Sequence, residues 1–272
     1  MKIIRQQIIG ELLEETFLSQ FSRYLRLLKY ADLFKGKRVL DIACGSGYGT
    51  YFIAKYLDVE EVVGVDMDED AISYAKEHFN GDGTIFINAS SYDLRDHFRG
   101  NFDIIVSFET IEHVQSPMDY LQELIYFWNG CCAIFLSTPD RDIVSPYVKF
   151  PIFRYHLHEF VAAEFISLLN STNLKIEEFV TAPIQDSLFL KIRKAICFLF
   201  SFSKTRVASR LLENIFTFLK RILDFNKRNV SINRKLVDEY SMICLDNNGS
   251  LEKRSVISGF FVVLRGDNST GA

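Results

Sequence analysis

The sequence predicts an α/β domain built on a doubly wound, seven-stranded, mostly parallel sheet, with a helical insertion before the last strand. Three observations predict it. Short apolar runs alternate with helical stretches of roughly 10 to 15 residues, the signature of right-handed βαβ units. A glycine-rich turn, CGSGYG, follows the first of these runs directly. In a chain of 272 residues, 48% hydrophobic residues supply enough core for one sizeable domain.

The elements follow in order. Residues 3–34 place Leu12, Leu13, Phe17, Phe21, Tyr24, Leu25 and Leu28 at helical spacing, which predicts a helical cap over 1–36. KGKRVLDIA then changes the period and gives a strand near 38–43. YGTYFIAKYL (helix), EVVGVDM (strand), EDAISYAKEHF (helix) and GTIFINA (strand) come next, then NFDIIVSF (strand), SPMDYLQELIYFW (helix) and CCAIFLSTP (strand). HEFVAAEFISLLNST adds a helix, NLKIEEFVTAP a sixth strand, and SVISGFFVVLRG the last. The sheet domain is therefore expected over 37–183 and 255–265. The gap between them, 184–254, is too long for a loop and should carry helices of its own.

Charge is unevenly spread. The chain sums to −4, yet residues 188–228 hold ten Lys or Arg against Glu213 and Asp224, so this segment is +8 and the remainder −12. An acidic remainder argues against a DNA binder. Within 188–228 the basic residues are interleaved with Leu and Phe, which suits a cap on the sheet, a dimer contact, or peripheral contact with an anionic membrane face. Five cysteines without C-x-x-C spacing suggest neither a disulfide framework nor a zinc site and fit a reducing cytoplasm. No stretch reaches 18 uncharged apolar residues, and the first residues turn acidic too early for a secretion signal.

The chemistry concentrates at the strand ends. Gly45 and Gly47 let the backbone approach a ligand closely, and about 20 residues on, Asp66 ends a strand where a carboxylate can accept ribose hydroxyls. That pairing fits a dinucleotide or S-adenosylmethionine. The pattern D-x-A-C-G-x-G-x-G, with Asp41 four residues before the first glycine and no phosphate cradle beyond Ser46, favours the latter. In SFETIEHV, a continuing helix would put Glu109, Glu112 and His113 on one face, a mixed oxygen and nitrogen set suited to Mg²⁺ or Mn²⁺. His113 could alternatively act alone as general base.

VLDIACGSGYG, VVGVDMDEDAISYA, INASSYDL and FDIIVSFETIEHV, followed by STP, resemble in order the motifs of class I S-adenosylmethionine-dependent methyltransferases. The resemblance covers about 20–182 and returns at 255–265. It implies that Asp41, Ala43, Gly45 and Gly47 face the methionine part of the cofactor, that Asp66 and Met67 take the ribose and adenine, and that Ser90, Ser91, Ser107 and Phe108 complete the cleft. One departure is that Ser90 stands where the family often has an acid. E-x-x-E-H resembles the metal site of small-RNA 2′-O-methyltransferases and ubiquinone-biosynthesis O-methyltransferases, which add a later histidine. In YHLHEF, His156 is the first choice for that ligand and His158 the second, with Glu159 structural.

SRYLRLLKYADLFKGKRVLDIACGSGYGT is similar to a bacterial subgroup that accompanies polysaccharide and glycolipid biosynthesis. That implies a sugar O-methyltransferase of the cytoplasm or the inner membrane face, with Arg23 and Tyr24 near the cofactor carboxylate and Glu112 and His113 as catalytic residues. The acceptor would be a glycan, free or lipid-linked. A non-catalytic cofactor-binding partner and an RNA 2′-O-methyltransferase are the competing readings.

Overall fold

A computed structural model describes residues 11–81, 83–90, 94–98, 101–148, 150–181, 194–198, 210–216, 229–246 and 259–266. Its centre is a seven-stranded sheet. In chain order the strands are β2 (Arg38–Ile42), β3 (Glu61–Asp66), β4 (Thr84–Asn88), β5 (Phe102–Phe108), β6 (Trp128–Pro139), β7 (Leu174–Thr181) and β9 (Gly259–Gly266). They lie in the order β4-β3-β2-β5-β6-β9-β7. The first five are parallel, and β9 inserts antiparallel between β6 and β7. The strand order reverses beside β2, so the β2 and β5 loops flank the crevice where ligands of such sheets bind.

Alternation along each strand builds a core on both faces. On one face Val39, Val62, Val106 and Phe135 meet Phe17 and Phe21 of α1 (Glu14–Arg26), Phe52 of α2 (Tyr48–Tyr56), and Ala75 and Phe79 of α3 (Glu69–Phe79). On the other, Leu40, Val63, Ile105 and Leu136 meet Tyr120 and Leu124 of α4 (Pro117–Phe127) and Phe165 of α5 (Ala162–Asn170). Asp68 caps α3 by accepting from the Asp70 and Ala71 N–H groups, and Ser116 caps α4 with Pro117 at its first position.

The N-terminal segment differs from the expected helix. Glu11–Leu13 form a strand, β1, paired antiparallel with β8 (Asn229–Ser231), and the α-helix starts only at Glu14. Local periodicity carries no sign of a pairing partner so distant in sequence. After α1 the chain tightens into a 3₁₀ turn, Leu27–Tyr30, and one helical turn, Ala31–Phe34.

The end of the insertion is fastened to the same face. In α6 (Arg234–Asp246), Asp238 accepts from the Tyr56 hydroxyl at 2.8 Å, the Lys55 ammonium at 2.8 Å and Tyr51 at 3.2 Å. Arg234 donates to the carbonyls of His78 and Asn80 at the end of α3. Residues 194–198 and 210–216 are helical, and their Cys197, Leu212 and Phe216 bury Val148 and Ile152 of the loop that follows β6. Most of the basic residues of 188–228 lie outside the described residues. Among the described residues, no helix is long and apolar enough to cross a membrane.

Candidate functional site

The glycines after β2 do different jobs. Gly45 has φ +55° and nothing within 4 Å of where a Cβ would stand, so it faces open space. Gly47, at φ +83°, is pressed against the sheet: its Cβ would lie 2.6 Å from Ala75 and 2.8 Å from Phe86. The third, Gly49, makes room for a ring, since a Cβ there would fall 2.0 Å from Tyr24 Cζ. Ala43 shares the left-handed conformation, at φ 61°. Of this loop, Gly45 is the glycine left bare for a ligand.

Asp66, at the end of β3, clamps the loop. Its Oδ2 accepts from the Gly45 N–H at 2.8 Å and its Oδ1 from the Asp68 N–H at 2.9 Å. Burial raises its carboxyl above the usual range, while these backbone N–H groups pull it back down.

Asp41 was expected at the cofactor. The structure instead buries it completely, with Oδ2 accepting from Thr50 at 2.7 Å and both oxygens accepting from the Tyr24 hydroxyl at 3.2 and 3.4 Å. It supports Tyr24 from beneath. Burial raises the Asp41 carboxyl from 3.8 to about 7, against the lowering effect of Thr50 and Tyr24. The native state therefore holds a proton that the unfolded chain releases at lower pH. The destabilisation this causes is absent below about pH 4, grows as pH rises and is complete above about pH 7. Asp41→Asn is expected to flatten the fall in unfolding free energy between those limits, a difference on the order of 4 kcal/mol at most, measurable by denaturant titration at several pH values.

The turn after β5 does not continue as a helix. Glu109 takes φ +54°, its N–H donates to the Ser137 carbonyl at 3.1 Å, and the next helix, α4, starts only at Pro117. Glu109, expected beside Glu112 as a ligand, is thereby turned to Arg23. Its Oε2 pairs with the Arg23 guanidinium at 2.9 Å and its Oε1 accepts from Ser137 Oγ at 3.0 Å. Arg23 is buried, donates from Nη1 to the Ser19 carbonyl at 2.7 Å, and has an Nε–H without any partner.

Glu112, His113 and His156 do come together, with one ligand atom from each within 4.8 Å of the others. Glu112 is buried, and Thr138 Oγ1 donates to its Oε2 at 2.9 Å. The Leu157 and His158 N–H groups donate to its carbonyl at 2.8 and 3.1 Å, which brings the histidine loop to this turn. His113 Nδ1 lies 2.9 Å from the Tyr155 carbonyl, an acceptor only, so Nδ1 bears the proton and the Nε2 lone pair stays free, 3.7 Å from Glu112 Oε1. Burial and then the charge of Glu109 push Glu112 well above the ordinary carboxylate range. Cover on its inner side, then His156, pushes His113 down.

Other expected residues are placed as follows. Phe108 packs edge-on against Tyr24, ring centroids 5.0 Å apart. Ser107 faces the opposite core, its hydroxyl 2.6 Å from that of Tyr120, so its side chain is spent there rather than in the cleft. Met67 is exposed and Ser90 half-buried, whereas Ser91 lies outside the described residues. His158 stands apart from the trio, at 3.2 Å from the Gln115 carbonyl. Sequence reasoning missed the supports: Thr50 under Asp41, Ser137 and Thr138 on the two glutamates, and the Tyr155 carbonyl behind His113. Only the STP motif at the end of β6 carried a signal for any of them.

The sequence pattern of the methyltransferase domain family matches residues 33–187, more than half of the chain. The chain belongs to this family. A probable S-adenosylmethionine-dependent methyltransferase of Mycobacterium tuberculosis is 31% identical over 131 residues, 48% of this chain and 46% of its own length. The mitochondrial ubiquinone biosynthesis O-methyltransferase of Saccharomyces cerevisiae is 38% identical over 110 residues, 39% of this chain and 35% of its own. The chain spans about half the length, or less, of these curated relatives. Among solved structures, the plantazolicin methyltransferase in complex with SAH superposes with a TM-score of 0.56 at 17% identity, covering 93% of this chain and 86% of that one. The shared feature there is the fold.

The relatives named above include a probable S-adenosylmethionine-dependent methyltransferase, and the residues present fit that cofactor. An orphaned buried N–H on Arg23 is a donor waiting for an acceptor, Gly45 is open, and Asp66 ends its strand with its backbone clamp in place.

Proposed function

We propose that the methyltransferase domain transfers a methyl group to a hydroxyl, with a divalent cation held by Glu112, His113 and His156. The observation that carries this reading is the convergence of one buried carboxyl and two imidazoles within 4.8 Å at the strand ends. A sulfonium cofactor supplies an electrophilic methyl group. The chain's own work is to hold it through Gly45, Asp66 and Arg23, to seat the acceptor against the trio, and to exclude water. A cation in the trio would supply Lewis acidity to an acceptor oxygen. One carboxylate with two imidazoles suits Mn²⁺ better than Mg²⁺, which takes oxygen ligands, and the similar relatives include a ubiquinone biosynthesis O-methyltransferase.

The acceptor we infer is a sugar hydroxyl in a glycan or glycolipid, on the resemblance carried by Arg23, Tyr24 and SFETIEH. A metal-free variant of the reaction is supported by one further observation. His113 has its pKa lowered and a free Nε2 lone pair, the state of a general base at neutral pH.

Both are tested by one assay. Labelled S-adenosylmethionine is incubated with panels of sugar nucleotides, glycolipids, catechols and amines, in Mn²⁺ or in chelator. Methylation of sugar hydroxyls that stops in chelator is expected. Transfer that survives chelation but not His113→Ala moves the proton to His113, and transfer confined to amines contradicts the O-methylation reading.

A further inference from the structure

Glu159, expected to be structural, is placed directly behind one imidazole of the trio. Its side chain is fully buried, Oε1 lies 2.9 Å from His156 Nδ1, and Oε2 has no partner at all. A buried carboxyl with a single contact is a poor stabiliser, because desolvation costs more than one hydrogen bond returns. Its backbone, by contrast, is well fixed. Residue Phe160 bridges to Asp140 at the end of β6, and the Arg141 N–H donates to the Phe160 carbonyl at 2.9 Å. The carboxyl thus lies beneath one imidazole, which is its single polar contact among the described residues.

We infer that Glu159 is a positioning residue that acts through His156: it accepts the Nδ1–H, fixes that tautomer, and so turns the Nε2 lone pair toward Glu112 and His113. His113 is treated the same way by a different acceptor, the Tyr155 carbonyl. The two rings meet edge to face with centroids 4.9 Å apart, and the Phe153 ring lies tilted against His156 at 5.0 Å. Two imidazoles each backed at Nδ1 and free at Nε2 form a matched pair of donors beside one carboxyl. Acceptors behind ligating histidines set ring orientation and ligand basicity, and their loss typically costs 10- to 100-fold in metal affinity.

In water a neutral imidazole favours the Nε2–H form, so the inference is open to direct observation. It rests on the cation reading above, but its first test does not need a cation. Histidine ring ¹⁵N spectra of the metal-free full chain, with His156 assigned by its absence in His156→Gln, report the tautomer. His156 is expected as Nδ1–H in the unmodified protein and in Glu159→Gln, whose amide oxygen still accepts, and as mainly Nε2–H in Glu159→Leu. Calorimetric titration with MnCl₂ should then show about a 10- to 100-fold weaker Kd for Glu159→Leu and a smaller loss for Glu159→Gln. An Nε2–H tautomer in the unmodified protein overturns the inference, even if Glu159→Leu fails to fold. So does a Glu159→Leu spectrum identical to the unmodified one. The Nδ1–H tautomer in a protein that takes up no Mn²⁺ supports the role of Glu159 and overturns only the cation reading.

Discussion

Gly49→Ala is expected to lower Tm by about 5 °C or more and to weaken SAH binding by more than tenfold. The added Cβ would sit 2.0 to 2.5 Å from three atoms of the Tyr24 ring. That ring cannot move aside, because Phe108 and Tyr48 pack against it and Asp41 lies under its hydroxyl. Overpacking a filled core costs about 1–3 kcal/mol, and about 1 kcal/mol shifts Tm by roughly 2–4 °C in a domain approaching this size. The loss of cofactor affinity follows from displacement of α1, which also carries Arg23. Thermal melts and SAH titration of Gly49→Ala, Tyr24→Ala and the double variant check the mechanism. The penalties should be strongly non-additive, since removing the ring makes room for the methyl group. Additive penalties would show that Gly49 is needed for some other reason.

His156→Ala is expected to reduce Mn²⁺ affinity by at least about 100-fold, the upper end of what loss of even a supporting residue costs, and to reduce methyl transfer with it. The fold should survive, because His156 lies in the loop after β6 and outside both sheet-face cores. His158→Ala is the matched control. His158 stands outside the trio and should leave metal binding unchanged. Metal binding measured by calorimetry, with circular dichroism as the check on folding, separates the two variants.

Much of this was legible in the sequence. The strands and sheet helices follow from period changes and glycine or proline punctuation, and β9 was recognisable as a strand despite its distance along the chain. Asp66 and Gly45 stand out because close backbone approach and a strand-end acid leave fixed residue types at fixed spacing. His156 was separable from His158 only through resemblance. What was not legible depends on backbone conformation or on distant partners. Nothing in SFETIEHV announces that Glu109 adopts φ +54° and leaves the helix that would align it with Glu112. Its pairing with Arg23 joins α1 to the end of β5, a contact no local pattern encodes. The same holds for β1, whose partner lies at Asn229–Ser231. Ser107 was misplaced for a simpler reason: side chains alternate along a strand, so if Phe108 faces Tyr24, Ser107 faces Tyr120.

The proposed function rests on a divalent cation held by Glu112, His113 and His156 beside the cofactor. Calorimetric titration of chelator-treated protein with MnCl₂, with and without SAH, tests it most directly, comparing the unmodified chain with Glu112→Ala. SAH binding is expected in both proteins, and stoichiometric Mn²⁺ uptake only in the unmodified one. Mn²⁺ uptake equal in the two, or none in either, would contradict it.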